Sequence, residues 1–187
     1  MRLPWRRTET AGGQAPGGEA PASRGSRRIA FPFVAAALSR RALDAALRLA
    51  RAEDGELLPV FLVQVPRWLP LDAPLARAAD LLVASQEAIE QRAAAFGVSV
   101  DARVERGRTP RHALMRMIEG ERYDRLVIAA AAPGAPGFAP DDVGWLLAHA
   151  PGEIVVVRAD HEDDLLGVRE DRPVIPATPV RLPAAFS

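Results

Sequence analysis

The sequence predicts an α/β fold built on a five-stranded parallel, doubly wound sheet with helices on both faces. Three observations carry this prediction. Apolar runs and amphipathic segments alternate from Arg28 to Arg158, the pattern of successive βαβ units. Runs such as LLPVFLVQV and EIVVVR are nearly continuous, as strands covered on both faces must be. The stretch Arg125–Arg158 reads strand, Gly-rich turn, helix, strand. In open α/β sheets, ligands sit at a loop of that kind, beyond the carboxyl end of a strand.

In chain order, the first strand is expected at Ile29–Val34, with Pro32 as a local irregularity, because proline cannot donate to a central ladder. A helix over Ser39–Glu53 follows from the spacing of Leu38, Ala42, Ala45 and Leu49. Ser39 suits its N-cap and Gly55 its left-handed end. A strand is expected at Leu57–Val65. The next helix, Leu75–Phe96, places Leu75, Leu82, Ile89 and Phe96 along one face and stops at Gly97. A strand at Ser99–Glu105, a helix at Pro110–Glu119 and a strand at Arg125–Ala130 come next. The series closes with a helix at Asp141–Ala148, with Asp141 as its N-cap, and a strand at Glu153–Arg158.

These elements define a domain over residues 27–158. Residues 1–26 are rich in Gly, Pro, Ala and Ser and are expected to be a flexible tail. Residues 159–187 turn acidic and then proline-rich, and are expected to be a largely extended tail.

Composition narrows the chemistry. The formal charge is zero, so no global basic field favours nucleic acid. There is no Cys, no Lys and no Asn. A thiol nucleophile, a Cys-ligated metal, a Schiff-base amine and a Walker lysine are therefore excluded. No apolar h-region follows the basic start, and no run approaches the roughly 20 apolar residues that span a bilayer. A cytoplasmic protein without a membrane span is expected.

No metal site is expected, because His112, His149 and His161 lie on different elements with no ligand spacing, and the run His161-Glu162-Asp163-Asp164 reads as a solvated tail. No Gly-x-Ser-x-Gly elbow supports a Ser/His/Asp mechanism, so no catalytic residue is assigned. Arg106, Arg108 and Arg111 form the basic cluster of the domain. It reads either as an anion site at a strand-to-helix junction or as arginines serving the fold. Trp145 is assigned to the core or a dimer contact. Trp68, among prolines in VPRWLPLDAPL, either packs locally or serves as a lid or partner contact.

Over about residues 27–158 the chain resembles the universal stress protein family. The resemblance rests on RRIAFPF followed by SRRALDAALRLARAEDGELLPVFLV, on VERGRTPRHAL, and on VGWLLAHAPGEIVVVR. It implies a five-stranded parallel sheet, a homodimer formed through the last strand and, in one subclass, ATP binding. In ATP-binding members the first strand ends in Asp, and a Gly-x2-Gly-x9-Gly-Ser/Thr loop wraps the phosphates. Here Phe33 and Val34 end the strand, with Val34 in the place of the acid. Gly134 and Gly137 match the first two glycines, and the closing pair falls on Pro140-Asp141.

The expectation is therefore a cytoplasmic regulatory or interaction module with a degenerate nucleotide site at Phe33, Val34, Gly134, Gly137 and Asp141. It is not expected to be an enzyme or to carry a cofactor. Its expected partners are a second copy and a protein of unknown identity, not nucleic acid. The alternative is an ATP- or AMP-binding stress protein with an altered phosphate loop.

Overall fold

The structure, a computed structural model, describes residues 27–34, 38–133, 135–160 and 162. The expected tail 1–26 lies outside the described residues, as does the expected tail 159–187 apart from Ala159, which closes the last strand, Asp160 and Glu162. Strands β1 (Arg28–Val34), β2 (Glu56–Gln64), β3 (Arg103–Gly107), β4 (Arg125–Ala131) and β5 (Glu153–Ala159) alternate with helices α1 (Arg40–Ala52), α2 (Ala76–Phe96), α3 (Pro110–Gly120) and α4 (Pro140–His149). The strands form one parallel sheet in the order β3-β2-β1-β4-β5. This is the predicted doubly wound α/β architecture.

Each strand divides its side chains between two cores, because successive residues project to opposite faces. Ile29, Phe31 and Phe33 pack with Leu43, Leu47 and Ile89 under α1 and α2. Ala30, Leu126 and Ile128 pack with Leu114, Met117 and Leu146 under α3 and α4. The near-continuous apolar runs exist because both faces are covered.

The helix ends follow local chemistry. The Ser39 hydroxyl caps α1 by accepting from the Ala42 N–H at 3.3 Å, and Thr109 caps α3 by accepting from His112 at 3.1 Å. Two expected caps are corrected. At the end of α1 the left-handed residue is Asp54, at φ 53°, not Gly55. The Gly55 N–H bonds Ala50 O at 2.8 Å, and a Cβ at Gly55 would run into the Arg27 carbonyl. Gly55 is needed for close approach, and Asp is among the residues that tolerate the left-handed region. At α4 the N-cap is Ala139, with Pro140 in the first turn, so Asp141 is not the cap.

The β3 boundary also differs from expectation. Leu57 bridges Val100, and the continuous β2–β3 ladder begins only at Val60↔Arg103. Leu57 exchanges bonds with Ser99 O and Asp101 N on the β3 side, so strand alternation aims the Pro59 backbone to that side as well. Proline has no N–H to give there, and the ladder is interrupted between the bridge and Arg103.

Charged groups gather at the amino ends of the strands. Arg28 bonds Glu56 at 2.7 Å and Asp101 at 2.7 Å, and Arg125 reaches Glu53 at 2.8 Å and Glu153 at 2.6 Å. On the α1–α2 face a bidentate Arg92–Asp44 pair joins the two helices, both bonds at 2.6 Å. The Asp44 hydrogen bond raises the Arg92 pKa above its ordinary value. Tyr123 is held against the second core with an unpartnered hydroxyl, and burial pushes its pKa up. The ion pairs of Arg28 and Arg125 tie the strands together at the end of the sheet away from the crevice.

A candidate crevice at the switch point, with Phe138 on the edge of β4

Between β1 and β4 the chain direction reverses across the sheet, since α1 and α2 cover one face and α3 and α4 the other. A crevice outside the carboxyl ends of these two strands is the position at which open α/β sheets bind ligands. The β1–β4 ladder itself is short, with only Ile29↔Arg125 and Ala30↔Leu126 in register.

Pro32 accounts for that early end. The Arg28 N–H bonds the Asp124 carboxylate at 2.8 Å, and Arg28 O accepts from Asp124 N at 2.9 Å. The backbone groups of Arg28 therefore face β4. By alternation, those of Ala30, Pro32 and Val34 face it too. Pro32 has no donor for this ladder, and the pairing stops before it.

The edge of β4 left open is filled by another residue of the chain. Phe138 N donates to Ala129 O at 2.8 Å, and Ala131 N donates to Phe138 O at 3.0 Å. Ala132 N, one residue on, bonds Ala159 O of β5 at 3.2 Å, so Phe138 lies on the β1 side of β4. It forms a parallel bridge with Ala130. Continuing the register Ala30↔Leu126 by four residues sets Val34 opposite Ala130. Phe138 thus takes the ladder place that Val34 would hold. Its ring is 2% exposed and sits in the second core, against which Val34 also packs.

The five residues assigned from sequence do not form one set. Gly134 lies outside the described residues. Gly137 has φ 137°, and a Cβ there would stand 2.6 Å from Ala129 O. Only glycine lets Phe138 dock so closely on β4. Phe33 and Val34 project to opposite faces, and Phe33 belongs to the α1–α2 core, 5.8 Å from the Phe31 ring and 5.4 Å edge-on from Phe61. Asp141 is exposed in the first turn of α4, where its charge and that of Asp142 meet the positive end of the helix dipole.

The basic cluster serves the fold. Arg108 Nη1 donates to Pro66 O at 2.6 Å and Leu69 O at 2.8 Å, and Arg106 Nη1 to Ala73 O at 2.7 Å. Arg111 pairs with Asp142 at 3.0 Å, bonds Asp141 O at 3.2 Å and lies 5.9 Å from the Trp145 ring centre. The first two arginines hold the β2–α2 loop, and the third ties α3 to α4. Trp68, on the loop so held, is 83% exposed, so it does not pack locally. Trp145 packs at the second core and stacks on His149 at 4.8 Å, whose Nδ1 is 2.8 Å from Trp145 O.

Among the described residues no group of three His, Asp or Glu could hold a metal ion, and no helix is long and apolar enough to cross a membrane. His161 lies outside the described residues. Sequence reasoning missed a small cleft between α2 and the sheet, lined by Phe33, Phe61, Leu82, Ser85 and Ile89. The Ser85 hydroxyl is buried there without a partner.

Comparison with known proteins places the chain in a family. The sequence model of the universal stress protein family matches residues 25–158. A universal stress protein crystallised in complex with cAMP is 18% identical, with a TM-score of 0.52, over 73% of this chain and 99% of that one. An Arabidopsis thaliana family member with AMP bound is 15% identical, with a TM-score of 0.51, over 73% and 94%. One from Archaeoglobus fulgidus is 13% identical, with a TM-score of 0.51, over 72% and 98%. Comparison with curated proteins returns no match. By the match over most of its length, this chain belongs to the universal stress protein family.

Proposed function

We propose that this protein is a cytoplasmic regulatory or interaction module of its family whose nucleotide crevice is closed by its own chain, and that it is neither an enzyme nor the holder of a resident cofactor. The carrying observation is the Phe138 bridge on the β1 edge of β4.

The residues present do not suit a nucleotide phosphate. Pro140 opens α4 without an N–H. The Asp141 and Asp142 carboxylates stand in the same turn. Like charges about 4 Å apart cost roughly 4 kcal/mol at an effective dielectric near 20, about a thousandfold in affinity. Arg108 and Arg111 are already engaged by loop carbonyls and by Asp142.

A second reading, an ATP or AMP binder with an altered loop, draws on the relatives solved with cAMP and AMP. Calorimetric titration with ATP, AMP and cAMP, with and without Mg²⁺, separates the two. The proposal expects no saturable heat at millimolar ligand. A stoichiometric site of micromolar affinity would establish the second reading.

An interaction module also needs a surface, and the partner expected for β5 is a second copy. Among the described residues no strand pairs with the outer edge of β5. Val156 is 43% exposed and Leu147, on the neighbouring helix, 58%. An apolar open edge of this kind is normally paired or covered. Sedimentation should give a dimer, and Val156→Asp should weaken it at least about tenfold, since burying an unpaired charge costs well over 1.4 kcal/mol. A monomer at high micromolar concentration would remove this part of the proposal.

A further inference from the structure

We propose that the arginine face of α1 is a docking surface for an acidic peptide, and that its occupant is the acidic segment following β5 in the same chain. On a helical projection Arg40, Arg41, Asp44, Arg48 and Arg51 fall within an arc of about 100°. All four arginines are exposed. Asp44 is committed to Arg92 of α2, so the face is strongly positive. The first turn of α1 holds Arg40 and Arg41 and no acidic residue, which sets cations at the positive end of the helix dipole. The contrast with α4, whose first turn carries Asp141 and Asp142, marks α1 as the helix in need of anions at its start.

The chain supplies those anions from the adjacent edge. The chain leaves β5 at Ala159, and the next residue, Asp160, already pairs with Arg41 at 3.2 Å. Glu162, Asp163, Asp164, Glu170 and Asp171 follow, with Arg169 as the single cation among them. Arg48 lies two turns along α1 from Arg41, about 10.5 Å at the helical rise. Glu162 lies in a 3₁₀ turn, so residues 161–164 span less than the roughly 13 Å of four extended residues, and the long side chain of Arg48 makes up the difference. The proposal sets Asp163 and Asp164, which follow the Asp160–Arg41 pair, against Arg48. Among the described residues Arg48 has no carboxylate of its own.

The absence of cysteine makes a clean test. A nitroxide is attached to the full chain through Gly167→Cys, and broadening of backbone amide signals is read by NMR. Amides of Arg40–Ala52 should broaden at low salt. The effect should vanish near 1 M salt, where the screening length falls to about 3 Å. It should also vanish in Arg48→Glu, on the exposed face, and return when Asp163→Arg and Asp164→Arg are added. No broadening on α1, or broadening indifferent to salt and to Arg48→Glu, would overturn the proposal. A mixture of isotope-labelled chain without nitroxide and unlabelled chain with it serves as control. Broadening of α1 in that mixture would assign the face to a second copy and overturn docking within one chain.

Discussion

Replacement of Gly137 by valine is expected to lower the unfolding free energy by about 3 kcal/mol, a Tm drop of roughly 10 °C for a domain of this size. The residue stands at φ 137°, and its missing Cβ would lie 2.6 Å from Ala129 O, 3.0 Å from Ala129 C and 3.1 Å from Ala129 Cβ. A β-branched side chain adds backbone strain to that overlap and pushes Phe138 off β4. Urea denaturation measures the loss. A variant as stable as the parent would mean that the close approach of this turn to β4 is not needed. Because Gly137 is held by packing, loss of ligand binding on its replacement would not identify a phosphate contact.

Phe138→Ala should by itself cost about 3 to 4 kcal/mol, the usual range for emptying a buried aromatic site. Phe138 is among the largest fully buried or nearly buried side chains of the domain and packs in the core shared by α3, α4 and Val34. Phe138→Leu keeps most of the volume and should cost less than about 1.5 kcal/mol. The two losses at 137 and 138 should not add, because both break the same bridge. Equal stability of the alanine and leucine variants would contradict a filled crevice.

The architecture was legible because the cause of each element is local. Periodicity marked the helices, apolar continuity marked the strands, and Ser39 marked a cap that the structure retains. Two of the misplacements, at Gly55 and at the start of β3, share one origin, a local signal outvoted by a distant backbone. The position of Gly55 suggests a left-handed stop, whereas it is glycine because Arg27 passes close by. The residue type of Asp141 suggests a cap, but the helix begins one position earlier, at Pro140. The early start of β3 failed because Pro59 denies it a donor, an effect visible only once the ladder side is known.

The candidate site was legible as a loss and not as a replacement. Val34 and the shortened loop signalled that the family's phosphate motif was incomplete. That Phe138 pairs in the ladder at the place opposite Ala130 depends on the register of β1 and β4, which spacing alone does not disclose. Pro32, read as an irregularity, was the available clue: a proline in a central strand must leave a partner strand unpaired on one side. Arg106 and Arg108 illustrate the same limit, since nothing in their spacing reveals that loop carbonyls at Pro66, Leu69 and Ala73 consume their donors.

Amide hydrogen exchange at Phe138 and Ala131, with and without ATP and Mg²⁺, tests the central claim most directly. A crevice closed by the chain predicts that both amides exchange as slowly as their neighbours in β4, because Phe138 N is bonded to Ala129 O and Ala131 N to Phe138 O, and that nucleotide changes neither. Fast exchange at these two amides, altered by ATP, would show that the turn leaves β4 and that the crevice is a nucleotide site.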